Sequence, residues 1–174
     1  GRLLTTVDSI VAGNLVSPEA MASINIFFPA MVAVSVISTV VDSGSGTCLS
    51  VSMGTNDPET ILRAKSAVKR IMILAALFVA VVEYPIIRGI IESYELTPEI
   101  RDMTLEYAKG IMIALPVGVI SSVGSYQLQV IGKMRVLMNL SIMEGIANLV
   151  LDVFFVEAMD LGVAGIGFGT ACAN

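Results

Sequence analysis

Glu144, Asn148 and Asp152 stand four residues apart inside an otherwise apolar stretch running from Val136 to Val156. At 3.6 residues per turn the three side chains share one helix face. An ionisable group at the centre of a membrane span costs roughly 2.5 to 3.5 kcal/mol on insertion scales. Acids retained at that cost mark a path for an ion or a polar substrate. Asp8 is a further acid in an apolar stretch, Leu3 to Val16.

What is missing narrows the chemistry. The chain contains no histidine, which excludes within it a Ser-His-Asp triad, a Cys-His nucleophile, a histidine zinc site and a haem histidine. Cys48 and Cys172 are isolated and fall in or beside apolar runs, so both are expected to be small buried residues without a disulfide or metal role. Gly162, Gly165, Gly167 and Gly169 resemble a nucleotide-binding loop only loosely, since no strand precedes them. Small residues that let two membrane helices approach closely are the better account.

The elements that must hold these groups are membrane helices. Hydrophobic residues make up 55% of the chain and charged residues 14%, with a mean hydropathy of +0.85, far from ordinary soluble composition. No charge falls between Glu19 and Asp42 or between Lys109 and Lys133, and Ile71 to Ile87 is broken only by Glu83. Each run approaches or exceeds the length needed to cross about 30 Å of hydrocarbon. A chain of 174 residues has too little interior to hide four all-apolar helices in a soluble core. The expected spans are 3–16, 18–41, 64–87, 107–131, 136–156 and 161–174, a single all-α domain over 1–174. The first and sixth are too short to cross alone, so the chain reads as a fragment cut inside two helices. No secretory leader is expected, because the first segment holds Asp8 and lacks a basic stretch.

Turn chemistry places the helix starts. Ser17-Pro18-Glu19, Asp57-Pro58-Glu59 and Thr97-Pro98-Glu99 each set a capping residue before a proline and an acid in the first turn. Tyr94 to Tyr107 is expected to include a short interfacial helix. Pro29 and Pro116, each inside a span, are expected to bend their helices as hinges or static kinks. Arg63, Lys65, Lys69 and Arg70 lie two spans from Lys133 and Arg135, so the positive-inside tendency makes both connections cytoplasmic. The net charge of -5 then belongs to acidic outer loops, and no basic patch interleaved with aromatics suggests nucleic acid.

The segment Asn148-Leu149-Val150-Leu151-Asp152, followed by Asp160-Leu161-Gly162-Val163-Ala164-Gly165 and Thr170, resembles the fifth and sixth helices of the multidrug and toxic compound extrusion (MATE) antiporters. Val7-Asp8-Ser9-Ile10 with Gly13, Pro18-Glu19-Ala20, Phe28-Pro29 and Glu106-Tyr107-Ala108-Lys109 agree with the same family. The resemblance implies a polytopic six-helix amino-terminal lobe of a two-lobe, twelve-helix transporter, multi-pass in the cell membrane, whose carboxy-terminal lobe is the missing partner. It implies an amino-lobe cation site at Asp8, Asn148, Asp152 and Thr170. Two carboxylates, an amide and a hydroxyl supply hard oxygen ligands for sodium, and desolvation favours the neutral acid, so the same set can take up and release a proton. Glu144, Tyr107, Ser122 and Asn25 are the candidate substrate-cavity residues.

The chain departs from the family where many members carry a proline after the helix-five aspartate, since Val153 stands there. Glu144, at a commonly small position, either extends the acidic face or is neutralised by Lys133 or Arg135. Asp42 is expected to be solvated, and Glu83 to reach the interface. The resulting expectation is a secondary antiporter, not an enzyme, that exports small organic cations against protons or sodium without a cofactor. A flippase for lipid-linked sugars from the same superfamily and a non-transporting membrane scaffold are the alternatives.

Overall fold

The computed structural model describes residues 8–173. The expected helix start at Leu3, the matching residue Val7 and the terminal Asn174 lie outside them. The described residues form helices α1 (8–16), α2 (Pro18–Ile26), α3 (Phe28–Gly54), α4 (Pro58–Ser93), α5 (Pro98–Val130), α6 (Met134–Val153) and α7 (Gly162–Ala173). Among these residues there is no strand. Four helical stretches, Pro18–Gly54, Pro58–Ser93, Pro98–Val130 and Met134–Ala158, are long and apolar enough to cross a membrane.

Helices begin where the capping chemistry directs. Ser17 accepts from the Ala20 N–H at 3.1 Å, Thr97 accepts from the Ile100 N–H at 3.4 Å, and Asp57 accepts from the Glu59 and Thr60 N–H groups. Each cap is followed by proline, whose missing N–H would have had no partner there. Helices run past the apolar stretches because polar residues extend them beyond the hydrocarbon. At 36 residues, α4 is about 54 Å long. No separate interfacial helix occupies Tyr94 to Tyr107; α5 starts at Pro98 and runs unbroken.

The prolines act differently from one another. The interruption near Pro29 falls at Phe27, between α2 and α3, so Pro29 sits in the first turn of α3, where proline is tolerated. Pro116 lies within a continuous α5, as Pro85 does within α4.

α5 is the spine of the lobe, packed by α2, α3, α4 and α7, whereas α6 packs mainly on α7 and meets α5 only sparsely. The exposed sides of the helices are apolar as well as the core, and the core also holds polar side chains. Val40, Leu74, Val81 and Met143 are exposed, while Ser23, Ser45, Ser52 and Thr104 are buried. Lipid solvates the apolar exterior, so close packing must hold the helices together. Gly110 of α5 and Gly167 of α7 provide it: a Cβ on Gly110 would collide with the Gly167 backbone, and one on Gly167 would lie 2.9 Å from the Tyr107 carbonyl oxygen. Cys48 and Cys172 are both free and exposed, a correction to their expected burial. Each lies on an outward side of its helix, where a thiol is as compatible with lipid as a small apolar group.

Candidate ion site and lobe cavity

Four helices bring the polar residues together. Asp8 opens the described part of α1, Tyr107 comes from α5, Asn148 and Asp152 from α6, and Thr170 from α7. Asp8 is 1% exposed, and Tyr107, Asn148 and Asp152 are 0% exposed. The Thr170 hydroxyl donates to Asp8 Oδ2 at 3.0 Å and accepts from the Asn148 amide at 3.2 Å. Tyr107 donates to the same Asp8 oxygen at 3.3 Å, while its ring packs edge-on against Phe27. Asp152 lies close enough to Asp8 for the two carboxyl groups to interact.

The donors end on one oxygen. Asp8 Oδ1, Asn148 Oδ1, Asp152 Oδ1 and Asp152 Oδ2 are buried and have no hydrogen-bond partner among the described residues. Two neighbouring carboxylates away from water cannot both stay charged without a cation beside them; otherwise one of them takes up a proton. The unpaired oxygens are all acceptors, the ligand chemistry of a hard cation or of a shared proton.

Gly169 makes room for this arrangement. A Cβ there would collide with Asp152 Oδ1, so a position not singled out for the site shapes it from behind. Its signal in the sequence is its place in the run of close-approach glycines, beside Thr170. Beyond Asp152, the backbone answers for the missing proline. α6 passes after Val153 into a π-helical turn, Phe154–Ala158, a wider winding that interrupts regular packing without proline.

A cavity of about 490 Å³ reaches from Asp8 and Thr170 along α5 to Asp42, Ser122 and Glu144. Among the described residues no lysine or arginine lines it. Ser122 and Glu144 are therefore on its wall. Glu144 forms no ion pair among the described residues, neither with Lys133 nor with Arg135. Asp42 is not simply solvated: it is partly buried, lines the cavity and accepts from Ser122 Oγ at 3.1 Å. Tyr107 is off the wall, behind Asp8, because its hydroxyl is directed into the ion site. Asn25 is also off the wall, exposed, with its amide donating to the Met21 carbonyl at 2.9 Å. Glu83 is packed among the helices and does not extend outward. It is 3% exposed, and its Oε2 has no partner among the described residues.

The MatE family profile matches residues 2–154. The chain belongs to the MatE family. Its fold is that of a MATE transporter lobe. A MATE transporter in the bent conformation is 21% identical, with a TM-score of 0.88 over 98% of this chain and 38% of its own. An inward-facing multidrug resistance MATE transporter of the MOP superfamily is 19% identical, with a TM-score of 0.88 over 99% of this chain and 39% of its own. A MOP superfamily transporter from Pyrococcus furiosus, described as having a binding pocket of reverse polarity, is 21% identical, with a TM-score of 0.85 over 99% of this chain and 38% of its own. The chain thus spans about two fifths of the length of these transporters. No curated protein matches it.

Proposed function

We propose that this chain is the ion-coupling lobe of a secondary antiporter that exports small organic cations in exchange for protons or sodium. The observation that carries the reading is the group of buried oxygens on Asp8, Asn148 and Asp152 that lack a donor, beside a cavity that also holds Asp42 and Glu144 and, among the described residues, no basic side chain. A cation arriving at Asp8 and Asp152 relieves their repulsion and draws α1, α6 and α7 together. That ion must bind one arrangement of the lobe better than another to do work, and the state it favours holds the cargo less tightly. The breaks at Phe27 and in the π-helical turn after Asp152 are the places where the helices can re-angle.

The acidic cavity favours a positively charged cargo over the phosphorylated cargo of a flippase, which would call for basic side chains. The rest of the long chain supplies the opposite wall, and the membrane in question is the cell membrane, with the Arg63 and Lys133 connections on the cytoplasmic side. The test reconstitutes the full-length protein in liposomes with Asp152→Asn. Gradient-driven efflux is expected to fall to background while cargo binding in detergent persists. Undiminished efflux would overturn the coupling role.

A further inference from the structure

Away from the cavity, α4 and α5 enclose a second hollow of about 730 Å³ near the Tyr94–Thr97 connection. Its walls change character in a fixed order. Val79 of α4 packs with Val119 of α5 in one apolar cluster, which sets the level between the two antiparallel helices. Counting from that pair toward the connection, nine residues on α4 reach Arg88 and ten on α5 reach Lys109. Thirteen on each helix reach Glu92 and Glu106. At 1.5 Å per residue the basic level lies about 14 Å from the valines and the acidic level about 20 Å. Asp102 and Arg101 lie farther out on α5, while Ile87 and Met112 line the apolar end.

Lys109 also marks where hydrocarbon begins on α5, since no charge follows until Lys133. The sequence of environments is therefore apolar, then cationic, then predominantly anionic, passing outward from the membrane. A phospholipid bearing a primary amine presents matching chemistry in that order: acyl chains, phosphate, ammonium. Within the groove Arg88 pairs with Glu92 through Nε at 2.7 Å and also interacts with Tyr84, and with five N–H donors the guanidinium retains others for a phosphate. Lys109, Glu106 and Asp102 form no ion pair among the described residues.

We propose that this groove is a site for a zwitterionic aminophospholipid, with the phosphate between Arg88 and Lys109 and the ammonium at Glu106 and Asp102. An anionic headgroup without an amine would meet the acids unfavourably. A quaternary amine fills the same space but has no N–H to donate to them.

The test adds dioleoyl phosphatidylethanolamine, its mono- and dimethyl forms, dioleoyl phosphatidylcholine and dioleoyl phosphatidylglycerol to the full-length protein in detergent. Retained lipid is read by native mass spectrometry and stabilisation by thermal unfolding. Phosphatidylethanolamine should be retained about fivefold over phosphatidylcholine, with a stepwise decline through the methyl series. Joint Asp102→Asn and Glu106→Gln substitution should erase that preference but leave phospholipid binding. Lys109→Gln should weaken retention of phosphatidylethanolamine and phosphatidylcholine alike. Equal retention across the methyl series, or a preference for phosphatidylglycerol, would overturn the proposal without the variants being needed.

Discussion

A single hydroxyl ties three helices at the ion site: Thr170 on α7 accepts from Asn148 on α6 and donates to Asp8 on α1. Thr170→Val keeps the shape and removes both bonds, at about 1 kcal/mol each, so the half-saturating sodium concentration for sodium-driven efflux should rise up to about thirtyfold. Thr170→Ser should stay close to wild type. The opposite expectation holds for Glu83, whose buried Oε2 lacks any partner among the described residues. Glu83→Leu removes a group that burial penalises, and the detergent-solubilised protein should gain about 1 to 3 kcal/mol of stability, read as a higher unfolding temperature. A loss of efflux in that stabilised variant would instead show that Glu83 belongs to the transport machinery. Asp8, Asn148 and Asp152 were legible because acids and amides in apolar runs stand out and because Asn148 and Asp152 are one turn apart. Glu83 and Asp42 were not. A helix apolar nearly all round carries little sign of which side meets a neighbour, so the direction taken by a lone acid on it depends on packing with helices distant in sequence.

Among the elements, the beginnings of α2, α4 and α5 were readable for a local reason: an N-cap, a proline and an acid act within one turn. The break before α3 was announced by Pro29, which cannot donate to the preceding turn, whereas its exact place at Phe27 depends on how α2 and α3 fit the rest of the lobe. The Asp57 cap makes a pH-dependent prediction. The Thr60 hydroxyl and N–H, with the Glu59 N–H, hold its carboxyl below the ordinary value of 3.8 against the opposing effect of desolvation. A group depressed in the folded state contributes stability above its ordinary value and loses it as pH falls through the folded-state value. Wild type should therefore unfold at a higher temperature than Asp57→Ala at neutral pH, with the gap narrowing below about pH 4. The α5–α7 contact gives a larger effect. Gly110→Val pushes a branched side chain into the Gly167 backbone, and overpacking of this kind costs about 1 to 3 kcal/mol or more. A lower yield of folded protein and a lower unfolding temperature are expected, while Gly118→Ala, where a Cβ meets nothing within 4 Å, should be neutral.

At the scale of the whole molecule, ion binding and transport should separate. Asp8, Tyr107, Asn148, Asp152 and Thr170 all lie in this chain, so the proposed ion ligands need nothing from the rest of a transporter. The cavity is different. α6 leans on α7 and meets α5 only sparsely, and the chain covers only 38% of the length of a MATE transporter. Alternating access needs two bodies that close on a cargo from opposite sides, and one lobe cannot expose a site to two compartments in turn. The chain produced alone in detergent should show a proton- or sodium-dependent rise in unfolding temperature that Asp152→Asn abolishes. The same chain in liposomes should move no organic cation down or against an ion gradient. Co-expression with the remaining part of its parent should restore efflux, as expected when two halves of a membrane protein meet through helix packing alone. Ion-dependent stabilisation found in the full-length protein but absent from the isolated lobe would place the decisive ligands outside these 174 residues.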